Sequence, residues 1–326
     1  MNKFLSIKKV LRLALHSAVL GVVLSAGAAY AADAPQGKDL VLNGDAKCTK
    51  CHDESDSPEV LAIGKTKHGV RADGRTPTCT SCHGASEDHR NNPSGAEKRP
   101  TPDRTFTKGS KTPAAERNQA CLSCHQKDSK RHLWAGSAHE AADVACSNCH
   151  QVHAAHDKVR DKRTQPEVCF ACHKEQRAQV NKQSHHPVLE GKVVCSDCHN
   201  PHGSAGPKLM KRDSVVETCY ACHMEKRGPF VHNHRPVSDD CTNCHMPHGT
   251  TADNLLKARP PLVCYQCHSG HGTPGIAGIA PAVTSSPKAN TNIEQARGCL
   301  NCHTEIHGSN NPNGGQNLLP PAFFLR

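Results

Sequence analysis

Ten times in this 326-residue chain two cysteines stand three positions apart with a histidine directly after the second. The sets are Cys48, Cys51 and His52; Cys79, Cys82 and His83; Cys121, Cys124 and His125; Cys146, Cys149 and His150; Cys169, Cys172 and His173. They continue with Cys195, Cys198 and His199; Cys219, Cys222 and His223; Cys241, Cys244 and His245; Cys264, Cys267 and His268; Cys299, Cys302 and His303. In such a unit each thiol adds to a haem vinyl group as a thioether, and the histidine binds the iron from one side. Disulfides and zinc sites also use closely spaced cysteines, but neither requires a histidine after every pair. All twenty cysteines are consumed by the motif. Ten covalent haem c groups are expected.

Each iron then has a second face. Fifteen histidines lie outside the motifs, and ten of them are well placed to serve as distal ligands. One lies between the two motifs of each successive pair: His68, His139, His186, His234 and His271. Another follows closely after the second motif: His89, His153, His202, His248 and His307. His16, His132, His156, His185 and His232 are left over. Glycine follows His68, His202, His248, His271 and His307, where a missing side chain lets backbone approach a flat ring. His186 and His234 sit instead in proline-stiffened "HPV" and "HRPV". His202 lies only three residues after His199, which argues against its reaching the opposite face of the same porphyrin. It is expected on the iron of a different haem, as are His153 and His248. Methionine is the other ligand to weigh. Met224 and Met246 directly follow motif histidines and Met210 is expected to pack, so ten bis-histidine, low-spin irons are expected.

The elements that must position these groups follow a repeat. From Cys121 to Cys264 the motifs begin 25, 23, 26, 24, 22 and 23 residues apart. One kind carries an apolar or aromatic residue after its first cysteine (Leu122, Phe170, Tyr220, Tyr265). The other usually carries Ser or Thr there (Thr80, Ser147, Ser196, Thr242) and has a histidine close behind. Paired off, they make five dihaem units beginning near Cys48, Cys121, Cys169, Cys219 and Cys264, and repeats of this length imply serial stacking. The fold expected is a multihaem cytochrome c: a haem-packed extended chain with short α-helices beginning at the motifs, much coil and almost no sheet. Residues 84–119 read as a loop, and Trp134 is expected to pack on a haem edge.

Composition agrees. Ten aromatic residues against 46 glycines and prolines, with a mean hydropathy of −0.63, leave too little for a conventional core in a chain this long. Ten apolar macrocycles would replace it, and without them the polypeptide is not expected to fold. Residues 1–31 read as a secretory leader, with basic Lys3, Lys8, Lys9 and Arg12, an apolar run and an "AYA" cleavage site. The decahaem domain is then 32–326. No later apolar run approaches the roughly 20 residues of a spanning helix. The formal charge of +10 falls to +6 when the leader's four basic residues depart. In an exported chain this charge suits haem propionates and argues against nucleic acid. The uncharged stretch 271–287 and the apolar tail 317–326 are candidate partner contacts.

Enzymes that act on a small molecule at haem need an open iron position. No C-x-x-C-K occurs here and distal candidates equal motifs, so a conductor is favoured over a catalyst. At "ADVACSNCHQVH" (Ala142–His153), "VVCSDCHNPHGS" (Val193–Ser204), "ETCYACHMEKRGP" (Glu217–Pro229) and "CLNCHTEIHGSNNP" (Cys299–Pro312) the chain resembles the periplasmic decahaem cytochromes of the MtrA, MtoA, PioA and DmsE type. The resemblance implies ten bis-histidine haems on the ligand positions above, in a periplasmic protein associated with the outer membrane. It further implies a wire inserted in an outer-membrane β-barrel porin, since a chain without a lipid-facing segment can cross a bilayer inside such a sheath. Expected partners are that porin, periplasmic or inner-membrane c-type cytochromes and an extracellular multihaem cytochrome. The expected function is electron transfer to or from extracellular iron or other metals. A soluble periplasmic shuttle, an electron-transfer subunit for dimethyl sulfoxide respiration and, less favoured, a multihaem reductase are the alternatives.

Overall fold

The computed structural model describes residues 45–70, 75–268, 299–301 and 303–310. The leader, His271, Cys302, the stretch 271–287 and the tail lie outside them. Two compact bodies result, one ending at Thr78 and one running from Cys79. In the first, a helical turn at Ala46–Thr49 carries Cys48, and a further turn spans Pro58–Leu61. Between them Asp53 Oδ1 accepts the backbone N–H of Ser55 and Asp56, each at 2.9 Å, and turns the chain directly after the motif.

The second body is a succession of short helices. Among the described residues no strand forms, and the only β pairing is four isolated antiparallel bridges. No helix among them is long and apolar enough to cross a membrane. Among the described residues few large apolar side chains are buried, Phe170, Val180 and Val194 to 2 % exposure.

The two kinds of motif recognised in the sequence use different backbone. Where an apolar or aromatic residue follows the first cysteine, the helix starts upstream and ends within the motif: Ala114–His125, Gln165–Phe170, Val215–Tyr220 and Leu262–Tyr265. Where Ser or Thr follows, the motif opens its own short turn at Cys79–His83, Cys146–Asn148, Cys195–Cys198 and Cys241–Asn243, whereas Cys48, followed by Thr49, lies in a turn that starts upstream at Ala46. Cys299–Asn301 also opens its turn, although Leu300 follows its cysteine. The expectation that helices begin at the motifs therefore holds for the second kind and fails for the first. The cause is the apolar residue itself. Phe170 and Tyr220 are buried one helical turn beyond the buried Pro166 and Val216, an i, i+4 pairing that needs helix upstream of the cysteine. Ser214 caps one of these helices by accepting the N–H of Glu217 at 3.1 Å.

Residues 84–119 are also more ordered than a loop. They hold a helix at Glu87–Asn91 and the start of the twelve-residue helix Ala114–His125. Ser86 and Asp103 tie the segment together, the Ser86 N–H donating to Asp103 Oδ2 at 2.8 Å.

Consecutive repeats are clipped by backbone. Ser184 and Thr250 exchange two hydrogen bonds of 3.0 and 2.8 Å, and His232 and Ser309 do the same one repeat later at 2.9 Å. The glycines after the trailing histidines His202, His248 and His307 allow close backbone approach. Gly249 sits at φ +148°, and a Cβ there would stand 2.0 Å from the Gln179 carbonyl oxygen; Gly203, at φ +112°, is as close to Leu133. Gly95 also has positive φ but faces open space. Gly249→Ala should therefore destabilise the haem-loaded protein by about 1–3 kcal/mol more than Gly95→Ala. Comparing their thermal unfolding checks this, and equal melting temperatures would contradict it.

Candidate functional site

Seven of the motif histidines face a second imidazole. The ring centres lie 6.1 Å apart for His83 and His153, 6.0 Å for His150 and His202, and 6.1 Å for His173 and His139. For His199 and His248 the separation is 6.1 Å, and for His223 and His186 it is 6.3 Å. His245 with His307 and His268 with His234 each lie at 6.1 Å. Two metal–imidazole bonds of about 2.0–2.1 Å, plus about 1.1 Å from each ring centre to its nitrogen, span roughly 6.2–6.4 Å. One metal ion fits between the rings of every pair. Direct ring stacking would bring them closer.

The partners follow a rule. Three histidines between two motifs face the first motif of the next repeat: His139 with His173, His186 with His223, His234 with His268. Four histidines trailing a second motif face the second motif of the preceding repeat: His153 with His83, His202 with His150, His248 with His199, His307 with His245. Neighbouring repeats thus exchange imidazoles in both directions. In none of the seven pairs does a histidine face its own motif.

Hydrogen bonds lock these rings. His139 Nδ1 donates to the carbonyl of Pro201 at 2.8 Å and His186 Nδ1 to that of Pro247 at 2.6 Å. Those carbonyls directly precede His202 and His248, so one ligand loop holds the next. His199 and His245 donate to the carbonyls nine residues on, Lys208 at 3.0 Å and Asn254 at 2.9 Å. Both acceptors sit in left-handed backbone, at φ +53° and +55°, which turns the carbonyl back to the ring. His83 donates to Arg104 O at 2.9 Å, and His248 pairs with Gln179 Oε1 at 3.2 Å. With Nδ1 donating, Nε2 is left as the metal-binding nitrogen. Burial lowers the pKa of His202 to about 4, helped by the neighbouring His150. Burial likewise lowers His234, His245, His248 and His307. For these five rings burial favours the neutral form that metal ligation requires.

The thiols are arrayed to match. The first cysteines of the two motifs in a repeat touch: Cys121 with Cys146, Cys169 with Cys195, and Cys219 with Cys241. Burial pushes the thiols of the second cysteines Cys149, Cys198 and Cys244 up. Buried polar side chains hold one motif against the other. Asn118 Oδ1 accepts the N–H of Cys146 at 2.8 Å while its Nδ2 donates to Val144 O at 3.1 Å. Gln165 does the same for Ser196 N and Val159 O, at 3.0 and 2.8 Å.

Other expected residues stand apart from the seven pairs. His52 Nδ1 is 3.3 Å from Ser57 Oγ, His125 Nδ1 is 3.2 Å from the Arg131 guanidinium, and His89 Nδ1 donates to Pro100 O at 2.7 Å. The His68 N–H donates to Thr66 Oγ1 at 3.2 Å. The leftover histidines make local contacts: His156 with Asp161, and His185 with Lys182 O and Glu190. Trp134 is buried, its ring centre 6.5 Å from that of His202. Met210 is buried beside the backbone of His199. Asn118, Gln165 and the carbonyl acceptors were not singled out from the sequence. The aligned runs "HNPHGSAGPKLMK" and "HMPHGTTADNLLK" were the available signal for the last.

Known proteins share this pattern. A family model described as a doubled CXXCH motif matches residues 185–228 and 234–273, and one described as cytochrome c-type protein NrfB-like matches 79–165. The multiheme cytochrome MtrA of Shewanella baltica is 44% identical over 271 residues, covering 82% of this chain and 79% of that protein. The chain belongs to the MtrA family of multihaem cytochromes. The cytochrome c-type protein NrfB of Haemophilus influenzae is 34% identical over 157 residues, 42% of this chain and 67% of that protein. As a member of the MtrA family the chain binds haem c covalently through its C-x-x-C-H motifs, and electron transport is its activity. When bound, haem c supplies the one-electron iron couple.

Asn118→Leu removes one acceptor and one donor from buried backbone, at about 1–3 kcal/mol each. A lower melting temperature of the haem-loaded protein is expected, and an unchanged one would remove Asn118 from the positioning machinery.

Proposed function

We propose that this chain carries ten haem c groups in five dihaem repeats across residues 32–326, every iron closed by two histidines. The single observation that carries the proposal is the set of seven facing imidazole pairs at 6.0–6.3 Å. The motif histidines serve as proximal ligands. His139, His153, His186, His202, His234, His248 and His307 serve as distal ligands to the irons of their facing partners. His68, His89 and His271 remain the distal candidates for the other three irons. With both faces closed, no iron offers a substrate site. Electrons enter and leave through the haem edges, and the residues hold the macrocycles in series.

The exchange of ligands between neighbours favours a wire over separate sites, because each repeat is bonded on both sides to the next. On the family resemblance, this wire is exported to the periplasm and passes through an outer-membrane β-barrel porin. It links periplasmic or inner-membrane c-type cytochromes to extracellular iron or other metals, directly or through an outer multihaem cytochrome. The apolar band of such a barrel is about 25 Å tall, a span a row of several haems can cover.

Two outcomes test these proposals. His202→Met should change the ligand-field spectrum and raise the potential of the haem at Cys146 and Cys149; a change confined to the haem at Cys195 and Cys198 would refute the exchange. Isolation of the protein from outer membranes should yield it with a β-barrel. In liposomes that complex should pass electrons from external dithionite to an enclosed acceptor. Recovery only as a free periplasmic protein would favour a shuttle.

A further inference from the structure

The four described histidines of second-kind motifs differ in what their Nδ1 meets. His83, His199 and His245 donate to neutral backbone carbonyls, those of Arg104, Lys208 and Asn254. His150 meets a carboxylate, with Asp157 Oδ2 at 2.7 Å. Asp157 is part-buried, its side chain 20% exposed. Its other oxygen is held in place, Oδ1 accepting the N–H of Gln151 at 3.2 Å. The backbone explains the substitution. After His199 and His245 the chain makes a consecutive left-handed pair, Lys208–Leu209 and Asn254–Leu255, which presents a carbonyl to the ring. After His150 the chain continues as "QVHAAHDK" with no positive φ between Gln151 and Lys158. The carboxylate takes the place of that carbonyl.

Resting on the bis-histidine ligation proposed above, we infer that Asp157 sets the haem at Cys146 and Cys149 at a lower reduction potential than its second-motif counterparts. An anion on Nδ1–H draws that proton toward oxygen and makes Nε2 a stronger electron donor, which stabilises the oxidised iron. Reduction adds one electron at iron, and the Nδ1 proton stays between His150 and Asp157, so no bond is made or broken. That haem would then lie lower in potential than those of His83, His199 and His245. Asp157 is a positioning residue that acts through His150 and touches no reacting partner.

The test is a potentiometric titration of the haem-loaded protein and its Asp157→Asn variant. The carboxamide oxygen retains an acceptor for Nδ1 and removes the charge. One haem's share of the absorbance change should move to higher potential, with haem content and the low-spin spectrum unchanged. Asp157→Glu, which keeps the charge, should leave that share at or near its original potential. Superimposable titrations for wild type and Asp157→Asn would overturn the inference while the low-spin spectrum left the ligation standing. A high-spin iron in the wild type would instead strike at the ligation itself. Should Asp157→Asn fail to mature, Asp157→Ser supplies a neutral acceptor and the same upward shift is required of it.

Discussion

On the ligation proposed here, the main body of this protein depends on one constraint: two imidazoles from different repeats must stand about one metal ion apart. In all seven described pairs the two rings come from adjacent repeats, at separations that vary by only 0.3 Å. Among the described residues there is almost no sheet and few apolar side chains are buried, which leaves little else to fix the spacing of the parts. On the ligation proposed here, each iron is both a redox centre and a cross-link. Serial order along the sequence then becomes serial order in space, which is what a conductor needs.

The backbone is shaped around that constraint. Left-handed residues at Lys208 and Asn254 carry a steric cost, and their carbonyls orient His199 and His245. Glycine at 203 and 249 lets one repeat's ligand loop press on another's carbonyl. Prolines 201 and 247, directly before His202 and His248, offer carbonyls to His139 and His186. Orientation and tautomer are fixed by the same bonds that join the repeats. Burial favours the neutral form of His202, His234, His245, His248 and His307, the form that metal ligation requires.

Much of this was legible from residue spacing. The motif cysteines and histidines are local, and covalent attachment ties their chemistry to a five-residue pattern. The sorting of trailing from leftover histidines was legible too, since glycine after His202, His248 and His307 reports close backbone approach. Facing partners such as His186 and His223 are set by the path between repeats, which spacing alone does not encode. Helix starts were misjudged at Phe170 and Tyr220, because their burial draws helix from upstream residues that carry no motif. The role of Asn118, three residues before Cys121, was invisible for the same reason: its partners Val144 and Cys146 lie more than twenty residues away. Residues 84–119 looked like loop because their order comes from single polar ties such as Ser86 to Asp103.

The most direct test of the central claim is low-temperature electron paramagnetic resonance of the fully oxidised protein, integrated against covalently bound haem. Ten haems per chain with only low-spin, bis-histidine signals are predicted. A high-spin signal integrating to one or more irons per chain, or a haem count clearly below ten, would contradict the account.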